Sequence, residues 1–150
     1  MKSVDELTER FRASGRKVTP QRQSIFRALG GSTVHPTAEL VYEVVSADMP
    51  TISLRTVYQT LHDLEAMGEL HSIDVGTGST RFDPNLEPHH HLVCTECGRI
   101  DDIEAEPPVL AASGGFEVTA AELVYRGRCA ACRTAPTRSP QHQGEAPTNG

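Results

Sequence analysis

Four cysteines stand in two C-x-x-C pairs, Cys94 with Cys97 and Cys129 with Cys132, and the chain has no others. Each short turn points two sulfurs at one spot, and two such turns supply the four thiolates of a tetrahedral Zn²⁺ site. Just upstream lies a cluster of different chemistry: Asp83, His89, His90 and His91. Carboxylate oxygen and imidazole nitrogen suit Fe²⁺, Mn²⁺, Zn²⁺ or Ni²⁺ better than a closed thiolate cage. A closed site beside an adjustable one points to a structural metal and a sensing metal.

Disulfides and redox-active dithiols are the competing readings of the cysteines. The amino-terminal run MKSVDELTERF lacks the apolar core of a signal peptide, and no stretch is apolar enough to span a membrane. The expected location is therefore the cytoplasm, where thiols stay reduced and paired C-x-x-C turns bind metal. The 31 residues between the pairs exceed a zinc-ribbon gap. A folded domain must bring the two turns together.

The elements that position these groups change character along the chain. Helical signals fill the first half. Ser3 and Glu6 form a capping box, with Leu7 and Phe11 on one face and Gly15 as the stop. Thr19-Pro20 opens a second helix, with Ile25, Phe26 and Leu29 inward and Gly30-Gly31 at its end. Thr37 caps a third, with Leu40, Val41, Val44 and Val45 inward before Pro50. Ser53 caps a fourth, whose apolar positions Leu54, Val57, Leu61, Leu64 and Met67 recur every three or four residues. The period then changes. Leu70 to Val75 and Thr80 to Phe82 predict two strands joined by a Gly-rich turn.

Helices followed by a β-hairpin predict a winged helix, in which a helix enters the DNA major groove. The fourth helix is the candidate reader. Its polar face carries Arg55, Thr56, Tyr58, Gln59 and His62; Arg and Gln suit base edges, Tyr and Thr suit phosphates. Net charge is −6, which excludes a bulk polycation. Residues 1–27 nevertheless carry seven basic side chains against three acidic ones. Arg16 there, and Arg81 on the hairpin, are candidate phosphate contacts. Pro84 and Pro88 mark a junction. Beyond it, His91-Leu92-Val93, Ile100 to Glu104 and Phe116 to Arg126 are strand candidates, and Pro107 to Ser113 is a short helix at most.

The expected organisation is α+β. A winged-helix DNA-binding domain spans 1–84, a small α/β metal-binding dimerisation domain spans 85–133, and a Pro/Gly-rich disordered tail spans 134–150. If residues 89–91 are a strand, His89 and His91 point to one side and His90 to the other, as a surface residue. His62, His71 and His142 are expected at solvent or on the DNA side. A zinc hydrolase would need an H-E-x-x-H helix or an equivalent motif, and the chain has none, so no enzyme is expected.

The runs Val18-Thr19-Pro20-Gln21-Arg22, His35-Pro36-Thr37-Ala38, Thr56-Val57-Tyr58, Arg81-Phe82-Asp83 and His89 to Cys94, with the last Cys pair, resemble the Fur family of metal-dependent repressors. The resemblance implies a homodimer that binds a palindromic operator in double-stranded DNA when a regulatory metal is present. The ligand types look like the peroxide-sensing PerR branch, which holds Fe²⁺ or Mn²⁺ through three His and two Asp. The matching positions are His35, Asp83, His89, His91 and Asp102, with Asp101 competing for the last place. The resemblance further implies that peroxide oxidises a ligand His and releases the repressor. The alternative is a sensor of iron, zinc or nickel controlling metal uptake. Where iron-uptake members carry ligands for a further site, this chain has Pro88 and no His near Leu123. A complete third site is not expected.

Overall fold

A computed structural model describes residues 1–30, 35–74, 76, 78–106, 114–119 and 121–134. Four helices come first: α1 (Val4–Ala13), α2 (Pro20–Gly30), α3 (Ala38–Asp48) and α4 (Leu54–Ala66). Their starts follow the local chemistry. The Ser3 hydroxyl accepts the Glu6 N–H while the Glu6 carboxylate accepts the Ser3 N–H, so two otherwise orphaned donors are satisfied. Thr37 and Ser53 cap α3 and α4 by accepting the Leu40 and Thr56 N–H groups. Gly15 stops α1 with φ at 76°, a conformation in which a β-carbon would be strained.

The helices share one core. Leu7, Phe11, Ile25, Phe26, Leu29, Val57, Leu61 and Leu64 are fully buried, and Phe82 from the hairpin joins them. Phe11 and Phe26 pack with ring centroids 5.1 Å apart. Burying each such ring contributes about 1.5–3 kcal/mol. Helix α3 departs from expectation. Val41 and Val45 are buried, but Leu40 and Val44 are exposed, because α3 presents only a narrow stripe to the core. Beneath α1, Glu69 is wholly buried and pairs with Lys2 and Arg10.

The hairpin consists of β1 (His71–Ile73) and β2 (Arg81–Asp83), antiparallel, with His71 opposite Asp83. Its first strand is shorter than the sequence suggests, and its second keeps the expected length, displaced by one residue. A second sheet has the order β4-β3-β5, from β3 (His90–Cys94), β4 (Ile100–Ile103) and β5 (Val124–Gly127). β4 runs antiparallel to β3 and β5 runs parallel to it. The expected strand from Phe116 is confined to β5, and residues 116–119 and 121–123 are irregular. The C-A-A-C turn opens a short helix, α5 (Ala130–Thr134), which the sequence reading did not anticipate. Thr134, placed in the expected tail, closes this helix. The rest of the tail and the 107–113 segment lie outside the described residues. No helix among the described residues is long and apolar enough to cross a membrane.

Candidate metal centres and DNA-reading face

β3 and β5 run side by side, with Cys94 opposite Gly127, so the turns that follow them meet. Cys94, Cys97, Cys129 and Cys132 converge with their sulfurs within 4.8 Å of one another. The Cys97 and Cys129 sulfurs are 3.8 Å apart. A tetrahedral thiolate cage with Zn–S of about 2.3 Å has an edge of about 3.8 Å, so the spacing fits. Backbone N–H groups sharpen the site. The N–H groups of Cys129 and Cys97 hold the Cys94 thiol down to about 6. Contacts with the Cys129 and Cys97 thiols push Cys132 up to about 12. Four sulfurs this close cannot all carry charge unless a cation sits among them.

The second cluster assembles His35, Asp83, His89 and His91, again within 4.8 Å. His35 comes from the segment entering α3 and Asp83 from β2. His89 immediately precedes β3, and His91 lies within it. Phe82 donates its N–H to the Pro36 carbonyl at 2.9 Å and so fastens the hairpin beside His35. The His89 and His91 Nε2 atoms face each other at 2.9 Å. Asp83 Oδ2 lies 3.0 Å from His89 Nε2 and 3.4 Å from His91 Nε2, and Oδ1 lies 3.6 Å from His35 Nε2. Two adjacent imidazole ligands at about 2.1 Å from one ion stand about 3 Å apart, as found here.

Register separates the two candidate aspartates. Asp102 pairs with His91 and shares its face, whereas Asp101 pairs with the exposed Leu92. Asp102 Oδ1 lies 3.0 Å from His35 Nε2 and 3.6 Å from His89 Nε2. Asp101 is held by Arg99 at 2.8 Å. Burial acts to raise the Asp83 carboxyl, but the His35 contact, the Asn85 N–H and the neighbouring imidazoles outweigh it and hold it below its ordinary value. For His89, burial acts downward. The Glu87 carbonyl and the charges of Asp83 and Asp102 prevail and raise it.

The site is set for cations. Among the described residues, buried His35 has neither ring nitrogen satisfied by an aligned hydrogen bond. His89 Nδ1 lies 2.7 Å from the Glu87 carbonyl, which leaves Nε2 as the inward lone pair. Asn85 is a member that sequence reasoning missed. Its N–H donates to Asp83 Oδ1 at 2.7 Å and its side-chain amide donates to Asp102 Oδ2 at 3.3 Å. The signal was present in Asp83-Pro84-Asn85, a sequence made for an Asx turn. His90 corrects an expectation. It is 4% exposed rather than a surface residue, because Leu123 covers it and donates its N–H to His90 Nδ1 at 3.3 Å. His62 and His71 are exposed, and His142 lies outside the described residues.

On α4, Arg55, Tyr58 and Gln59 project to solvent. The Tyr58 hydroxyl donates to Glu39 of α3 at 2.5 Å, and Gln59 donates to Asp63 at 3.2 Å. Two expected phosphate contacts have other work. Arg16 pairs with Asp63 at 3.2 Å, beside Arg22 at 2.9 Å. Arg81 is half-buried and reaches the carbonyls of His35 at 3.4 Å and Gly98 at 3.3 Å. Neither is a free arm, because a carboxylate or a carbonyl pair lies within reach.

The ferric uptake regulator family model matches residues 13–125. The chain belongs to the ferric uptake regulator family. It is 39% identical over 101 residues to the peroxide-responsive repressor PerR of Staphylococcus aureus, a match spanning 67% of this chain and 68% of that protein. Its fold matches the Helicobacter pylori ferric uptake regulator Fur with a TM-score of 0.78 at 20% identity, covering 91% of this chain and 97% of the other. It also matches PerR from Streptococcus pyogenes with a TM-score of 0.53 at 24% identity, covering 88% and 94%. Members of this family are metal-responsive transcription regulators, not enzymes. The winged-helix and dimerisation architecture expected from the sequence is the architecture of these Fur proteins.

Proposed function

We propose that this ferric uptake regulator family member is a cytoplasmic, homodimeric repressor that releases its DNA on exposure to peroxide. The observation that carries the reading is the thiolate-free cluster of His35, Asp83, His89 and His91, with Asp102 at its edge. Three imidazoles and two carboxylates suit Fe²⁺ or Mn²⁺, and the thiolate cage suits Zn²⁺. The chain divides near Pro84. Residues 1–84 read DNA, and residues 85–133 hold the zinc and dimerise. Leu92 and Tyr125 support the dimer, since they are cross-strand neighbours that leave an apolar patch exposed on the second sheet.

Ligands drawn from both halves make the metal a switch. His35 and Asp83 move with the reader helix, while His89, His91 and Asp102 belong to the second half. A cation satisfied only when they meet favours one relative orientation, and so one spacing of two reader helices on a palindromic operator. Arg55, Tyr58 and Gln59 face that operator.

Fe²⁺ held by these residues would supply the redox chemistry that activates peroxide. The ring of His35 or His91 would lose two electrons to the peroxide and take up one of its oxygen atoms, and the other oxygen would leave as water. An oxidised ring ligates poorly, so the halves uncouple and DNA is released. The test is mass spectrometry of the Fe²⁺-loaded protein after mild peroxide, with operator binding measured in parallel. We expect a gain of one oxygen on His35 or His91 with loss of binding, and no change in the Mn²⁺ form. Unmodified histidines with retained binding reject peroxide sensing and favour plain metal sensing for uptake control.

A further inference from the structure

His91 is 2% exposed, and its two ring nitrogens face different surroundings. Nε2 turns toward His89 Nε2 and Asp83, into the cluster. Nδ1 is buried and has no aligned hydrogen-bond partner among the described residues. The charged group beside it is the Glu122 carboxylate, with Oε1 at 3.1 Å. His89 offers the comparison, because its Nδ1 already meets an oxygen, the Glu87 carbonyl, at 2.7 Å.

The backbone brings Glu122 to this place. It stands two residues before β5, where the chain clips onto the histidine run. The His91 N–H donates to the Leu123 carbonyl at 2.9 Å, and the Leu123 N–H donates to His90 Nδ1 at 3.3 Å. The parallel ladder continues from there, with Val124 opposite His91. Glu122 is therefore fixed by its backbone while its side chain, 57% exposed, can turn to complete the contact. It sits at the edge of a cavity of 430 Å³ that Asp83, His89 and His91 also line.

We propose that Glu122 is a positioning residue for the regulatory metal site, accepting the His91 Nδ1–H so that Nε2 presents its lone pair to the metal. A carboxylate in that place fixes the tautomer, holds the ring plane and raises the basicity of the ligating nitrogen. It also adds a negative charge beside a dication without entering the coordination sphere. This rests on the metal-site reading above.

The test uses the full chain with its zinc in place, as the unaltered protein and as Glu122→Ala and Glu122→Gln. Glu122 is a solvent-facing side chain outside both apolar cores, so the variants fold. Two quantities are measured: Mn²⁺ affinity, from the electron paramagnetic resonance signal of free Mn²⁺, and the His91 tautomer in Mn²⁺-free protein, from ¹⁵N-histidine NMR. Glu122→Ala is expected to weaken Mn²⁺ binding about 10–100-fold and to move His91 toward the Nε2–H tautomer. Glu122→Gln keeps an acceptor oxygen and is expected to restore the tautomer and most of the affinity. An unchanged tautomer and unchanged affinity in Glu122→Ala overturn the role of Glu122 alone. Failure of the unaltered chain to bind Mn²⁺ overturns the metal-site reading, and this proposal with it.

Discussion

At the residue scale, the two centres are built on different logic. Each half of the thiolate cage is local in sequence, a C-x-x-C turn, and its members are legible from spacing alone. The imidazole–carboxylate centre depends on residues that are not ligands. Asn85 holds one carboxylate with its backbone and the other with its side chain. Asn85→Ala removes the side-chain link to Asp102 and the bond that Asn85 Oδ1 accepts from the Glu87 N–H, while leaving the Asn85 N–H on Asp83. It is expected to weaken Mn²⁺ binding roughly tenfold, at the low end for second-layer partners, with zinc content unchanged. Calorimetric titration of the zinc-loaded protein checks this, and an affinity equal to that of the unaltered chain rejects it. Cys97→Ser has the opposite profile. Structural zinc contributes on the order of 10 kcal/mol in small domains, so the variant should lose zinc and the folded second sheet. Elemental analysis and circular dichroism read both, and a zinc-free chain with a normal melting temperature rules out a structural role.

At the scale of elements, α3 and α4 form the unit proposed to meet DNA. Tyr58 of α4 donates to Glu39 of α3, and this contact is the main cause of the lowered Glu39 pKa. The sign follows directly. A carboxyl depressed in the folded state adds stability above its unfolded value and loses it as pH falls through the folded one. Tyr58→Phe should therefore lower stability near neutral pH, by less than about 1 kcal/mol because solvent screens the pair. The gap from the unaltered chain should close below about pH 4. Denaturant titrations at two pH values measure it; a gap that widens in acid contradicts the assignment. Arg55 and Arg81 separate in a different experiment. Arg55 is exposed and has no partner among the described residues, so Arg55→Ala should reduce the salt slope of operator binding by about one contact. Arg81 spans the His35 and Gly98 carbonyls, so Arg81→Ala should weaken metal-dependent binding with the salt slope kept. Equal loss of slope in both would return Arg81 to the DNA face.

Legibility followed the range of the interactions. All four helix starts were readable, because caps are made by residues three positions apart. The exposed Leu40 and Val44 were not, since which stripe of α3 packs depends on where α2 and α4 lie. The strand expected from Phe116 shrank to β5 for the same reason: a strand needs a neighbour, and β3 offers one over only four residues. Ligand types at Asp83, His89 and His91 were legible as a run. The partners of Arg16 and Arg81, the cover over His90 and the approach of Glu122 were not, because each joins positions that are distant in sequence.

At the scale of the whole molecule, consider where along the chain the histidine–aspartate centre takes hold. His35 stands before α3, and Asp83 closes β2. Everything between them, α3, α4 and the hairpin, is a single stretch of chain entered at one ligand and left at another. A cation gripping both ends makes this stretch a closed ring, as a cross-link would, and closure removes conformations available to an open segment. The segment proposed to read DNA is then a loop with a removable clasp. Its backbone amides should exchange more slowly in Mn²⁺ than after chelation, across α3 and α4 together and more than in α1, which lies outside the ring. Equal protection in both conditions would mean that the ion only sets an angle. Slower exchange would mean that it also stiffens the instrument that reads the DNA.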